Sequence, residues 1–267
     1  MNPSSLQRDR LANDTGPYFM LGMRIDTLDP QDVLGRVITL VDKGGSAYCC
    51  VSNVHQCMLT HEEPEFAAVI NGADLVVTDS RVLQKFITTK YELEPLPTLR
   101  GAEMMMALCQ RAAEQNLPIA LVGGRDDALL HTLSEILRLR CPALVIACAF
   151  SPPFGARTAE DEQAEIEQLK HSGARLIFVG LGCPKQERWM ARHHGKLQAT
   201  MIGVGAAFDF NSGAVRKSPP WVHAAGFEWL YRLLAEPRRL WHRYLVESPR
   251  FLSAYWREER RRSSNSR

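Results

Sequence analysis

"ARLIFVGLGCPKQERWM", Ala174 to Met190, decides the fold. An unbroken apolar run ends at Gly180; Gly182 and Pro184 follow, and then Lys185, Gln186, Glu187 and Arg188 come in succession. A short apolar run without alternation reads as a strand covered on both faces, as parallel sheets require. Proline suits the first turn of a helix. The stretch therefore reads as strand, loop and helix, with glycines where the backbone must come close to something.

The same pattern recurs along the chain. "AYCCVS", "ADLVVT", "PIALVGG", "PALVIACAF" and "ATMIGVG" are further runs of this kind, and helical patterns separate them at Pro64 to Asn71, Ala102 to Gln115, Asp126 to Arg138 and Ala159 to His171. A βαβα order predicts the α/β class: a Rossmann-like, mostly parallel sheet with helices on both faces. Ligands of such sheets bind in the crevice beyond the carboxyl ends of the strands. The residues there are polar or glycine: Asn53 with His55, Asp79 with Arg81, Gly123-Gly124-Arg125, Gly180 to Gln186, and Asp209.

The 267 residues, 45% hydrophobic and 23% charged, suffice for one large or two small domains and exclude a disordered chain. The net charge of +2 hides a division: residues 216–267 hold twelve Lys/Arg against five Asp/Glu, leaving twenty against twenty-five elsewhere. The expected organisation is a flexible segment at 1–18, an α/β catalytic domain at 19–215, and a basic, aromatic-rich, helical appendage at 216–267. In that appendage Trp221, Trp229, Trp241 and Trp256 are interleaved with arginines, among them Arg232, Arg238 and Arg239. Such a mixture marks a nucleic-acid surface or an anionic membrane interface, and the absence of any nucleic-acid-binding motif favours the membrane. No window approaches the roughly 18 apolar residues of a spanning helix, so the contact would be peripheral. Seven cysteines with no C-x-x-C pair and no histidine cluster point to reduced thiols and to no metal site.

Each candidate also has a plainer reading. Gly123-Gly124-Arg125-Asp126 opens a helix where a diphosphate could sit, or Asp126 is simply its cap. Asp79, at the end of a strand, could take a proton from an attacking hydroxyl, or it could be a carboxylate favoured at a helix start. Gln186 and Glu187 could be a solvated first turn. Asp209, between Phe208 and Phe210, should need a partner, or it could serve structure alone. The G-x-G-x-x-G and P-loop fingerprints are absent, against a dehydrogenase or a P-loop enzyme. With no D-x-D pair, a departing phosphate would be stabilised by helix N-termini, Arg and Lys.

Together "NVHQCMLTHEEPEFAAVINGADLVVTD", "RGAEMM", "ALVGG", "VGLGCPKQERWM", "IGVGAAFDFNSGAVRKSPPW" and "GFEWLYRLLAEPRRLWHRY" resemble the WecG/TagA/CpsF family of bacterial glycosyltransferases, from about Phe19 to about Tyr244. The resemblance implies an inverting transferase, free of metal and cofactor, that moves a hexose or N-acetylhexosamine from a UDP-sugar to a sugar on undecaprenyl pyrophosphate. It places such an enzyme peripherally at the cytoplasmic face of the plasma membrane, against its anionic inner leaflet. It puts the base at Asp79, polar active-site groups at Asn53 and Gln186, and a site-completing set at Arg232, Arg238 and Arg239. Gly123, Gly124, Gly180 and Gly182 would let backbone approach the nucleotide-sugar, with Asp209 also in the pocket. Nucleic acid is not an expected partner, and self-association into a homo-oligomer stays open. The family's usual Thr two residues before the Asn is Val51 here, and Ser80-Arg81 replace the Gly that usually follows the Asp. N-acetylmannosamine and glucose are the donors the family implies.

Overall fold

The computed structural model describes residues 17–95, 97–153, 155, 158–215, 228–235 and 237–265. A two-stranded antiparallel ribbon, β1 (Tyr18–Met20) and β2 (Met23–Ile25), precedes a six-stranded sheet. The sheet strands are β3 (Ala47–Ser52), β4 (Leu75–Thr78), β5 (Ile119–Gly123), β6 (Ile146–Phe150), β7 (Leu176–Gly180) and β8 (Thr200–Gly203). All neighbours are parallel, in the order β4-β3-β8-β7-β5-β6. Each of the six apolar runs marked in the sequence supplies one of these strands.

Alternation along the strands builds two cores. Cys50, Val76, Val122, Val179 and Met201 face one layer of helices, while Cys49, Val77, Leu121, Phe178 and Ile202 face the other. Both sides are buried, which is why β3, β4, β5 and β8 read as continuous hydrophobic runs. The edge strand β6 is only half covered and has exposed positions.

The first face carries α2 (Val54–Glu62), α3 (Pro64–Asn71), α4 (Arg81–Tyr91), α7 (Ala159–Ser172) and α8 (Lys185–His193). The second carries α1 (Pro30–Asp42), α5 (Gly101–Glu114), α6 (Asp127–Arg140) and α9 (Ala207–Asn211). Helices leaving β3 and β7 turn to the first face; those leaving β8 and β5 turn to the second. Along β3, β8, β7 and β5 neighbouring strands thus send their chains opposite ways, the arrangement that opens a crevice at the strands' carboxyl ends.

Beyond residue 227 come α10 (Glu228–Ala235), α11 (Pro237–His242), a π-helical turn (Arg243–Glu247) and α12 (Ser248–Asn265). One side of α12 belongs to the first core: Phe251, Ala254 and Tyr255 are buried, and Phe251 and Tyr255 meet Phe86 edge to face at 5.3 and 4.6 Å. Ion pairs tie it further, Lys90 to Glu258 at 3.1 Å and Arg250 to Glu62 at 2.8 Å. Helix α12, within the appendage expected at 216–267, therefore shares a core with the body expected at 19–215. The expected flexible segment lies outside the described residues up to residue 16. No helix among the described residues is long and apolar enough to cross a membrane.

Candidate active site

The register of β3 and β4, with Ser52 opposite Thr78, brings Asn53 and Asp79 side by side at the sheet's carboxyl edge. The Asp79 N–H donates to Ser52 O at 3.2 Å, and Thr78 Oγ1 donates to the same carbonyl at 2.9 Å. Ser80, not Asp79, caps α4, accepting from the Leu83 N–H through Oγ. The helix-cap role is thus filled by the next residue, and Asp79 stands partly buried one position before it. Asn53 caps α2 through Oδ1, which accepts from the His55 and Gln56 N–H groups, and the Asn53 N–H donates to Gln56 Oε1 at 2.9 Å. Val51, where the family's usual Thr would stand, is packed in the second core.

Two strands farther along, β7 and β5 touch through glycine. A Cβ on Gly123, whose φ is +119°, would lie 2.6 Å from the Gly180 carbonyl carbon, and one on Gly180 would lie 2.7 Å from the Phe208 ring. A side chain on Gly123 would push the strands apart, and one on Gly180 would displace the Phe208 ring. The close approach visible here is between the two strands, and the Gly124 N–H donates to Gly180 O at 3.0 Å. Gly182 is different: its φ is +76° and a Cβ there would meet nothing within 4 Å, so the loop before α8 has open space beside it. Asp126 is the cap of α6, accepting from the Leu129 N–H at 2.8 Å. A carboxylate of the protein itself thus occupies that helix start.

The first turn of α8 is buried. Gln186 is 4% exposed and Glu187 is fully covered. Gln186 Oε1 accepts from the Gly205 N–H at 3.0 Å, and its Nε2 donates to Glu187 Oε1 at 2.7 Å. Gln56 Nε2 donates to that same oxygen at 2.7 Å. The ends of the Gln186 amide expected to meet a ligand are engaged within the protein. Burial pushes the Glu187 carboxyl above the usual carboxylate range, and the hydrogen bonds from Gln186 and Gln56 only partly offset it.

Asp209 sits in the short helix α9. Phe208 goes into the core while Asp209 is only partly buried, and its carboxylate makes no hydrogen bond or ion pair among the described residues. The partner that burial between aromatics would demand is not required there, because helical geometry turns the two side chains different ways. Arg238 is exposed on α11. The side chains of Arg232 and Arg239, like Trp221 and the side chain of Trp229, lie outside the described residues. No group of three or more His, Cys, Asp or Glu among the described residues is disposed to hold a metal ion, and none of the seven cysteines is in a disulfide.

Two features escaped the sequence reading. Gln56 is one: Asn at the cap with Gln three residues on is the capping-box pattern, and that signal was present. The other is Glu247 on the π-helical turn, whose Oε2 lies 2.8 Å from His55 Nδ1, two residues from Asn53. No local signal links residues so far apart in sequence. The C-terminal segment is thereby fastened to the edge of the strand-end crevice.

The model of the glycosyl transferase WecG/TagA/CpsF family matches residues 18–265. Because that match spans nearly the whole chain, the protein belongs to the glycosyl transferase WecG/TagA/CpsF family.

Proposed function

We propose that the protein transfers a hexose or N-acetylhexosamine, N-acetylmannosamine or glucose, from a UDP-sugar to a sugar carried on undecaprenyl pyrophosphate, with inversion, during bacterial surface or exopolysaccharide synthesis. The observation that carries the reading is the β3–β4 register, which sets Asp79 beside Asn53 at the open end of the sheet. Asp79 would accept the acceptor hydroxyl's proton as that oxygen attacks the anomeric carbon, and UDP would leave from the opposite side. Asn53, whose Oδ1 is committed to capping α2, would turn its Nδ2 toward the sugar. Gly123, Gly124, Gly180, Gly182 and Asp209 would line the nucleotide-sugar pocket, with Gln186 supporting it from beneath.

Arg232, Arg238 and Arg239 would meet the leaving diphosphate in place of a divalent cation. That role requires the segment from residue 216 onward to complete the site. Its outward side supports a peripheral membrane contact: Leu230, Leu234, Trp241, Leu245, Leu252 and Trp256 are exposed there among arginines. Aromatic rings at headgroup level and guanidinium groups on lipid phosphates would bring the enzyme to an acceptor whose chain stays in the bilayer.

The test is incubation with a panel of UDP-sugars and a short-chain lipid-pyrophosphate sugar acceptor, with and without EDTA, following UDP release and product anomery. Release with at least one donor, undiminished by EDTA and with inverted product, is expected. A folded sample inactive with every donor, or active only when Mg²⁺ or Mn²⁺ is added back, would overturn the assignment.

A further inference from the structure

One unbroken hydrogen-bonded chain runs beneath the carboxyl ends of β3, β7 and β8. It passes from the Asn53 N–H to Gln56 Oε1, from Gln56 Nε2 to Glu187 Oε1, from Gln186 Nε2 to the same oxygen, and from the Gly205 N–H to Gln186 Oε1. The two main-chain groups dictate its polarity. A backbone N–H can only donate, so each glutamine must turn its carbonyl oxygen to the backbone and its NH2 to the centre. The centre must therefore accept twice, and a carboxyl oxygen does so.

The three side chains are closed off from bulk water, Gln56, Gln186 and Glu187 being 1%, 4% and 0% exposed. Space for the second glutamine depends on Gly203, where a Cβ would meet Gln186 Nε2 at 3.0 Å. Glu187 Oε2 is buried as well. For packing alone an apolar side chain would serve better at this position than a buried acid. What the acid adds is geometry, because β3 and β8 are neighbours, paired at Cys50 and Gly203, and the loops leaving them are held to one atom.

We propose that Glu187 is a positioning residue for the transfer reaction, the shared acceptor that holds Gln56 and Gln186 and through them sets the Asn53 and Gly205 loops relative to each other across the strand-end crevice. The proposal rests on the glycosyl-transfer reading for its catalytic consequence. Glu187 itself lies under the crevice and touches no substrate; a loosened centre lets the two loops move independently, and misplacement lowers the rate more than it lowers binding.

Two variants separate this from a role in stability alone. Glu187→Gln keeps an oxygen that accepts twice; Glu187→Leu keeps the bulk and removes the acceptor. Amide hydrogen exchange is read at Asn53 and Gly205, and kcat and KM are read with the donor found by the panel. In the leucine variant both amides should exchange roughly tenfold faster or more while the amides of β5 and β6 keep their protection. Its kcat should fall by roughly tenfold or more with a smaller change in KM, and the glutamine variant should restore both measures to near wild type. Unchanged protection at Asn53 and Gly205, uniform loosening of the whole sheet, or a glutamine variant as impaired as the leucine one overturns the proposal.

If the leucine variant does not fold, Gln56→Met removes one arm. Faster exchange at Asn53 but not in β6 supports the proposal, and unchanged exchange at Asn53 overturns it. The exchange measurement needs no substrate, so it stands even if no donor is turned over. Conversely, an active enzyme whose leucine variant keeps wild-type kcat sinks the positioning role and leaves the transferase reading intact.

Discussion

Helix α8 and the C-terminal segment both contribute to the first core and treat their side chains in opposite ways. In α8, "KQERWMARH" takes Gln186, Glu187 and His193 out of water. In the C-terminal segment, Leu234, Leu245 and Trp256 are left in it at 74%, 58% and 58% exposure. Buried polar groups need partners inside the protein, and α8 finds them across the fold in Gln56 and, through the Trp189 Nε1–H, in Glu165. Large apolar side chains left exposed along one segment are suited to a partner outside it. The first helix shapes the site; the second segment is suited to bringing it to a surface.

The largest effect should come from the chemistry the crevice is proposed to perform. Asp79→Asn removes the base but keeps the size of the side chain, and kcat should fall by roughly 10²- to 10⁴-fold. UDP binding, measured by calorimetry, should be nearly unchanged. Near-normal turnover would take Asp79 out of the mechanism and leave the crevice without its base.

Next comes the division within α12 between its inward and outward sides. Phe251 is 1% exposed against Phe86, and Phe251→Ala should cost about 3–5 kcal/mol of folding stability. Trp256, one turn on and mostly in water, should cost no more than about 0.5 kcal/mol as Trp256→Ala. That second variant should instead weaken binding to anionic vesicles, measured by cosedimentation. Equal destabilisation by the two changes would show that α12 has no outward side, and loss of vesicle binding only in the Phe251 variant would place the membrane contact elsewhere.

Legibility in the sequence followed how local each cause was. The strands were readable because burial on both faces leaves no polar alternation, and the helix at Pro64–Asn71 falls where the pattern put it. The ribbon of β1 and β2 has three residues per strand, too few for any period to show. At the strand ends, the positions of Asn53 and Asp79 were legible because both follow strands, a property of the chain itself. The inward turn of Gln186 was not, since "KQERWM" looks solvated until Gln56, 130 positions earlier, is placed beside it. The tail's arginines and tryptophans were visible as composition, whereas the burial of Phe251 and Tyr255 depends on Phe86, which composition does not reveal.

The smallest effect is a titration, and it again concerns what α8 buries. His193 is fully covered, its ring stacks on Trp189 at 3.9 Å, and its Nδ1 lies 2.8 Å from the Trp189 carbonyl oxygen, so Nδ1 carries the hydrogen. Nε2 is then a buried acceptor without a partner. Burial accordingly holds the imidazole below its ordinary value of about 6.5. Unfolded chains bind a proton at this histidine below that pH and the folded one resists, so the stability from His193 is present above about 6.5 and is lost as pH falls toward the folded value. The slope in that window approaches about 1.4 kcal/mol per pH unit. Glu187 works the other way: its raised carboxyl favours the folded state at low pH, and that contribution is lost as pH rises through the folded value. Melting temperatures of the wild type, His193→Gln and Glu187→Gln between pH 5 and 8 separate the two. The wild-type advantage over the first variant should shrink as pH falls below about 6.5, and its standing relative to the second should improve as pH falls through the folded value of Glu187. Parallel curves for all three would mean that neither group stays in its buried protonation state, and the contrast between α8 and the C-terminal segment would lose its electrostatic half.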